Sequence, residues 1–324
     1  MKNQYRKLNF LLILLLISLV NTGSSQVTDD APIRINTVLL NVPVVVSDKD
    51  GRNITGLKKE DFSVFQEGVK QTIEFFANTE EPLNVAIVVD TSSSVRRVIK
   101  SLKKAASDFI STLGPDDKGL LMSFDIDVHL LCELTSDKAD LRKSLNGLFI
   151  LEGPDSLGID AIYRIHKKEF ASIKGRKAIV LITDGGIGGY TPYETWARML
   201  KESDTAIYPI WFQTRPVVMP KGVKTATLDE LLKVPVPEVA FMNRLATDTG
   251  GRLFAGEADN FEGAFQRIVD ELKKTYVLGF YPTNTDEGRP TNITIKVNRN
   301  DAVVRSKNVI QLKRRTPDGK KKDK

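Results

Sequence analysis

The chain has 324 residues, of which 41% are hydrophobic and 27% charged, and this globular composition excludes collagen, coiled coil and disorder over the whole chain. Its formal net charge of +6 comes from its ends, since three basic residues precede the first apolar run and the last twelve residues hold seven basic against two acidic side chains. The middle of the chain is close to neutral. This argues against a nucleic-acid partner, because binding phosphates requires positive charge on the folded surface.

Residues 1–25 combine a basic start, an apolar run over residues 8–20 and small polar residues, which predicts a signal peptide. The apolar run is shorter than the roughly 20 residues that span a bilayer. Retention as an uncleaved anchor is the alternative. We expect the protein to be exported, either secreted or at the periplasm or cell surface, with no stable membrane span after signal cleavage.

Cys132 is the only cysteine, so an internal disulfide framework is excluded. It lies in the apolar run VHLLCEL, and we interpret it as a small buried hydrophobe and not as a nucleophile. The two histidines, His129 and His166, have no cysteine or second histidine at zinc-ligand spacing.

Residues 26–82 contain short alternating apolar runs broken by turn residues, which predict antiparallel β structure. From residue 83 the pattern changes to strands that alternate with amphipathic helices, which is typical of a mostly parallel sheet with helices on both faces. Strands are predicted at residues 84–90, 118–124, 129–134, 177–183, 205–212 and 252–256.

An apolar stripe from Val95 to Leu113 predicts the first helix. Thr191, Pro192 and Glu194 predict a capping box at the start of a later one. The other helices are predicted at residues 136–148, 157–172, 193–203, 237–248 and 261–274.

After residue 274 the β pattern returns. Neither β segment has enough strands for a stable sheet, so we expect the two to pair into one small sandwich beside the α/β domain. The predicted fold is therefore a doubly wound α/β domain with a flanking β-sandwich. The chain is predicted to begin with a signal peptide (residues 1–25) and to end with a basic disordered tail (313–324). Between them, the α/β domain (83–274) separates the first part of the sandwich (26–82) from the second (275–312).

Polar side chains follow two predicted strands and precede one predicted helix at one edge of this sheet. Asp90, Ser92 and Ser94 alternate directly after a strand, Asp184 follows another strand, and Ser156 precedes a helix. Ligands bind at the carboxyl ends of strands in open α/β sheets. Two carboxylates and three hydroxyls suit a hard divalent ion such as Mg²⁺, with Mn²⁺ or Ca²⁺ as alternatives.

Each part alone has an ordinary structural explanation. Asp and Ser are favoured helix caps, and the sequence TDGG is typical of a turn. The combination, with each part after a strand or before a helix, favours a metal site.

The segments NVAIVVDTSSS and KAIVLITDGG resemble the von Willebrand factor type A domain and its metal-ion-dependent adhesion site. The flanks DKDGRNITGLKKEDFSVFQEG, LATDTGGRLF and YVLGFYP resemble the type A-related proteins of Acidobacteria and similar bacteria. The resemblance implies a Rossmann-like fold, direct coordination by the hydroxyls, aspartates that act partly through water, and a partner carboxylate that completes the shell. It places the metal ligands at Asp90, Ser92, Ser94, Ser156 and Asp184.

The second loop departs from the family pattern, because serine stands where threonine is usual and Pro154-Asp155 replaces two glycines. Asp155 either joins the metal shell, which would weaken an adhesive role, or caps the following helix.

The leading function hypothesis is an exported, non-enzymatic protein-binding module that captures a Glu or Asp carboxylate of a partner protein through the metal. The alternative is a metal-independent scaffold of the cell envelope. A metal-dependent hydrolase is less favoured, since neither a nucleophile elbow G-x-S-x-G nor a phosphate-binding loop is present and no histidine or cysteine is near the site in sequence.

Overall fold

The computed structural model describes residues 39–78, 81–151, 153, 156–213, 236–256, 261–283 and 289–312. The predicted signal peptide, the basic tail and Asp155 lie outside these residues. No helix in the described ranges is long and apolar enough to cross a membrane.

Six strands form the central sheet, in the order β10-β9-β8-β5-β6-β7. All neighbours are parallel except β6 and β7, which form an antiparallel hairpin. The strands are β5 (Leu83–Asp90), β6 (Lys118–Phe124), β7 (Val128–Thr135), β8 (Arg176–Thr183), β9 (Ala206–Phe212) and β10 (Phe254–Gly256). β5 and β8 are nearly uniform apolar runs because both faces of the sheet are covered.

Within the described ranges, helices cover both faces of the sheet, three on each. One face carries α1 (Ile99–Thr112), α2 (Lys138–Asn146) and α6 (Glu262–Leu272). The other carries α3 (Gly158–Arg164), α4 (Tyr193–Glu202) and α5 (Pro237–Thr247). The predicted doubly wound α/β architecture is confirmed.

Two four-stranded antiparallel sheets combine strands from both ends of the chain, in the orders β13-β1-β11-β4 and β14-β12-β2-β3. Their strands are β1 (Leu40–Ser47), β2 (Phe62–Gln66), β3 (Val69–Gln71), β4 (Ile73–Ala77), β11 (Thr275–Phe280), β12 (Pro290–Val297), β13 (Val303–Ser306) and β14 (Val309–Gln311). The sheets share one apolar core, which includes Val44, Val64, Leu278 and Ile295. The predicted flanking sandwich is therefore confirmed, whereas the predicted domain boundaries stay predictions.

Some helix ends differ from the sequence predictions. A 3₁₀ turn, Ser93–Arg97, precedes α1, and a π-helical turn, Ile165–Glu169, continues α3. The predicted capping box was wrong, because Pro192 occupies the cap position and the Thr191 hydroxyl donates to Asp160 Oδ1 at 2.5 Å. Cys132 is half-buried and packs against the α1 side of the core, and burial raises the pKa of its thiol.

Lys307 joins the sandwich to the α/β domain. Its buried ammonium donates to the carbonyl oxygens of Leu200, Lys201 and Ser203 at the end of α4, at 3.2, 2.9 and 2.6 Å. Burial lowers the pKa of Lys307 to about 8. The last carbonyls of a helix lack partners inside the helix, so this side chain serves as a cap.

The depressed pKa of Lys307 makes stability pH-dependent. Between about pH 8 and about pH 10.5 the unfolded chain binds more protons than the folded one, so stability rises with pH across this window. We expect the unfolding free energy of the wild type, relative to Lys307→Met, to increase by on the order of 2 kcal/mol between about pH 7 and about pH 9.5 in urea titrations. The control Lys70→Met replaces an exposed lysine and should show no such dependence. A difference that is constant with pH would contradict the assignment.

Candidate metal centre

Three loops at the carboxyl edge of the central sheet carry the predicted ligands. β5 ends at Asp90, β8 ends one residue before Asp184, and Ser156 precedes α3. β5 and β8 are paired in parallel register, with Val89 opposite Ile182, so their ends reach the same edge side by side.

Asp90 is fully buried. Its Oδ1 accepts a hydrogen bond from the Ser92 backbone N at 2.9 Å, and its Oδ2 accepts one from the Thr183 hydroxyl at 2.7 Å. Burial raises the pKa of Asp90 to about 6, and the nearby charge of Asp184 adds to the shift, although the hydrogen bonds oppose it. Within the described residues no lysine or arginine forms an ion pair with this carboxylate. A cation beside it would favour the ionised form.

The alternation of Asp90, Ser92 and Ser94 brings the two serine hydroxyls together. Their Oγ atoms lie 3.0 Å apart, because the chain turns into the 3₁₀ segment at Ser93. The two hydroxyls therefore lie side by side next to Asp90, whose Oδ1 accepts from the Ser92 backbone N, and their role as metal ligands stays a prediction.

Ser156 has a buried hydroxyl that makes no hydrogen bond to any residue that the structure describes. Its backbone oxygen accepts from the Gly188 N at 2.7 Å, which ties this loop to the loop that follows Asp184. A buried hydroxyl without a partner costs about 1–3 kcal/mol, so such a group calls for a ligand.

Asp184 is half-buried, and its Oδ1 accepts from the Gly186 N at 3.3 Å. Its backbone oxygen accepts from Trp211 Nε1 at 2.9 Å, which anchors the turn to β9. Gly185 has φ +96° and lies against Glu238, where a Cβ would be 2.7 Å from the Glu238 Cβ, so glycine is required there.

These residues fit a hard divalent cation. The donors are carboxylate and hydroxyl oxygens. Among the residues with described positions, none satisfies the Ser156 hydroxyl and no lysine or arginine pairs with the Asp90 carboxylate. No cluster of three or more His, Cys, Asp or Glu able to hold a metal occurs in the described part of the chain. A metal at this edge would therefore depend on the serine hydroxyls.

The sequence analysis missed Asp125, which follows β6 at the same edge. Its buried carboxylate accepts from the Thr91 hydroxyl at 3.0 Å, and Nε2 of His129 lies 3.0 Å from its Oδ1. Its backbone oxygen accepts from the Leu157 N at 2.8 Å. Asp125 thus connects the loops of Asp90 and Ser156. A carboxylate directly after a buried strand was the signal that could have identified it.

The histidine of this group, His129, is distant in sequence from Asp90 and Ser156. The β6–β7 hairpin nevertheless brings its ring to this edge of the sheet. A histidine is therefore close to the site in the fold, although none is close to it in the sequence.

No curated protein matches the chain. Proximal thread matrix protein 1 from the mussel byssus is similar in structure, with 16% identity, a TM-score of 0.46, and coverage of 71% of this chain and 50% of that protein, so the chain spans half of its length. Another structure of that mussel protein has a zinc-occupied adhesion-site motif. The von Willebrand domain of the pilus tip protein Mfa5 from Porphyromonas gingivalis gives 13% identity, a TM-score of 0.44, and coverage of 58% and 94%.

A von Willebrand factor type A protein from Catenulispora acidiphila gives 10% identity, a TM-score of 0.43, and coverage of 86% of this chain and 75% of that one. The narrower resemblance to acidobacterial proteins stays a prediction. The family model of the von Willebrand factor type A domain matches residues 85–187, which include all five predicted ligands, so the resemblance to this domain family is confirmed over that part of the chain.

Proposed function

We propose that the chain is an exported, non-enzymatic protein-binding module with a divalent metal site made of Asp90, Ser92, Ser94, Ser156 and Asp184. The observation that carries the proposal is the fully buried Asp90 carboxylate, which forms no ion pair with a lysine or arginine among the described residues. Beside it lie hydroxyls that include that of Ser156, which has no hydrogen-bond partner in the same part of the chain. Two ionised carboxylates together with three neutral hydroxyls form a ligand set that an incoming carboxylate can complete.

A divalent ion bound there would supply positive charge that attracts and orients a Glu or Asp carboxylate of a partner. The chain's own residues prepare the edge for it. Thr183 and the Ser92 backbone hold the Asp90 oxygens in place, and Asp125 fixes the loops on either side. Mg²⁺ is the first candidate ion, and Mn²⁺ and Ca²⁺ use the same kind of oxygen ligand.

Acetate provides a direct test of carboxylate capture. Binding of Mg²⁺ and of a carboxylate at one centre must be reciprocally coupled, so acetate should tighten the apparent Mg²⁺ affinity at constant ionic strength, whereas acetamide should not. Equal Mg²⁺ affinity in both would contradict carboxylate capture and favour the metal-independent scaffold as the function.

Replacing Ser156 by alanine separates a metal ligand from a structural hydroxyl. Because the hydroxyl is buried without a hydrogen bond to any described residue, Ser156→Ala should leave the stability of the chelator-treated protein unchanged or raise it. It should weaken Mg²⁺ binding by about tenfold or more in calorimetry.

The matched control is Ser111→Ala. The exposed hydroxyl of Ser111 lies on α1, away from the site, and accepts a hydrogen bond from Arg142. This variant should bind Mg²⁺ like the wild type. A Ser156→Ala protein that binds Mg²⁺ normally would remove Ser156 from the proposed site.

A further inference from the structure

Exposed apolar side chains are concentrated around the candidate metal centre. Seven large hydrophobic side chains of the described residues are exposed, and four of them lie at this edge of the sheet, three on loops and one at the first residue of α4. We call these four the apolar rim: Ile126, Phe149, Tyr190 and Tyr193, with exposed fractions of 46%, 58%, 76% and 55%. Apolar side chains that are exposed as a group mark a binding surface.

The apolar rim lies on both sides of the Asp90 loop. β5 lies between β8 and β6 in the sheet; Tyr190 and Tyr193 follow β8, and Ile126 follows β6. The ring of Phe149 lies 6.5 Å from the ring of His129 in β7, on the same side as Ile126. A segment bound at the centre would therefore meet apolar side chains in both directions.

The tyrosine side of the rim is held in place by Asp160. Its carboxylate accepts from the backbone N of Tyr190 at 2.7 Å and from the backbone N and hydroxyl of Thr191 at 3.0 and 2.5 Å. A Cβ on Gly189 would lie 2.7 Å from Asp160 Oδ2, so this loop packs tightly. The ring of Tyr193 makes an edge contact with Trp196, at 5.3 Å between centroids.

The other side is also preformed. A Cβ on Gly153 would lie 2.0 Å from Ile126 Cγ2, so the Ile126 side chain rests directly against the backbone of the loop that leads to Ser156. Binding to surfaces fixed beforehand loses less conformational entropy.

We propose that the apolar rim recognises an extended segment of a partner protein in which an acidic residue has bulky apolar residues before and after it. The proposal rests on the proposed function, because the acidic residue is the one that the metal centre would take. Ile126 and Phe149 have no polar side-chain atoms, so these two side chains offer a partner apolar contact. A protein segment matches that chemistry better than a carbohydrate, whose hydroxyls would lose their hydrogen bonds there.

Selection from a phage-displayed library of random peptides tests the proposal. Residues 26–324, immobilised with Mg²⁺, should enrich peptides with Glu or Asp between bulky apolar residues, and chelator should release them. The same selection on the double variant Phe149→Ser and Tyr190→Ser should retain the acidic residue and lose the apolar preference. For one selected peptide, this variant should weaken binding by about tenfold or more while Mg²⁺ affinity stays unchanged.

The control variant is Tyr281→Ser, which removes an exposed tyrosine of the sandwich, away from the sheet edge, and should bind the peptide like the wild type. Calorimetric titration with Mg²⁺ distinguishes failure of the proposed metal-dependent function from failure of the rim proposal. A wild type that fails to bind Mg²⁺ overturns both. A wild type that binds Mg²⁺ overturns the rim proposal alone if it enriches no peptide, enriches acidic peptides without apolar flanks, or instead binds oligosaccharides through Tyr190.

Discussion

In the presence of a chelator at neutral pH, the unfolding free energy of the Asp90→Asn variant is expected to exceed that of the wild type by up to about 3 kcal/mol. The carboxylate is fully buried with its pKa raised to about 6, whereas the unfolded chain has the ordinary value of 3.8. Between these values the folded state binds more protons, so the stability of the metal-free wild type falls as pH rises through the window. Asparagine removes the buried charge and keeps an oxygen that can accept from Thr183.

Added Mg²⁺ should reduce this difference in stability. A ligand that binds only the folded state stabilises it, so the wild type should gain stability with millimolar Mg²⁺ while Asp90→Asn should not. Urea unfolding at about pH 5 and about pH 7, with and without Mg²⁺, measures both effects. Asp108→Asn, an exposed replacement on α1, is the control. If Asp90→Asn is less stable than the wild type in chelator, Asp90 is a structural acceptor and not a carboxylate kept for a metal.

Gly251→Ala is expected to destabilise the fold by about 3 kcal/mol or more. A Cβ at Gly251 would lie 1.9 Å from the Ile207 backbone oxygen, so β9 or the loop before β10 would have to move. Gly250, beside it, has φ +81° and ends α5 in the left-handed region that favours glycine. Glycine is thus required at the two adjacent positions of LATDTGGRLF for different physical reasons.

Gly263→Ala is the matched control for this prediction. Gly263 lies in the first turn of α6, and a Cβ there would meet nothing within 4 Å. Alanine should therefore stabilise the protein by a few tenths to about 1 kcal/mol. Thermal or urea unfolding compares the two variants, and similar unfolding free energies for both would contradict the steric account.

The fold was largely predictable because its signals are local. β5 and β8 are continuous apolar runs, and the helices between strands have apolar residues at intervals of three and four. The sandwich was predictable in outline, since neither β segment can form a stable sheet alone. Its register, such as Val44 opposite Tyr276, depends on contacts between residues more than 200 positions apart, which no local pattern reports.

The candidate site was predictable where polar residues end buried strands, as at Asp90 and Asp184. The capping box at Thr191 failed because Pro192 occupies the cap position, and Asp160 accepts hydrogen bonds from both the backbone N and the hydroxyl of Thr191. Asp125 and His129 were missed since their importance arises from tertiary contacts: Asp125 accepts from the Thr91 hydroxyl, and the hairpin brings His129 against Asp125. The unsatisfied Ser156 hydroxyl likewise becomes visible only once its surroundings are folded.

Calorimetric titration of Mg²⁺ into chelator-treated residues 26–324, with Asp90→Ala in parallel, tests the central claim most directly, and Mn²⁺ and Ca²⁺ follow under the same conditions. The account predicts saturable binding at one site for the wild type and none for the variant. Absence of saturable binding to the wild type at millimolar ion, or equal binding by Asp90→Ala, would contradict it.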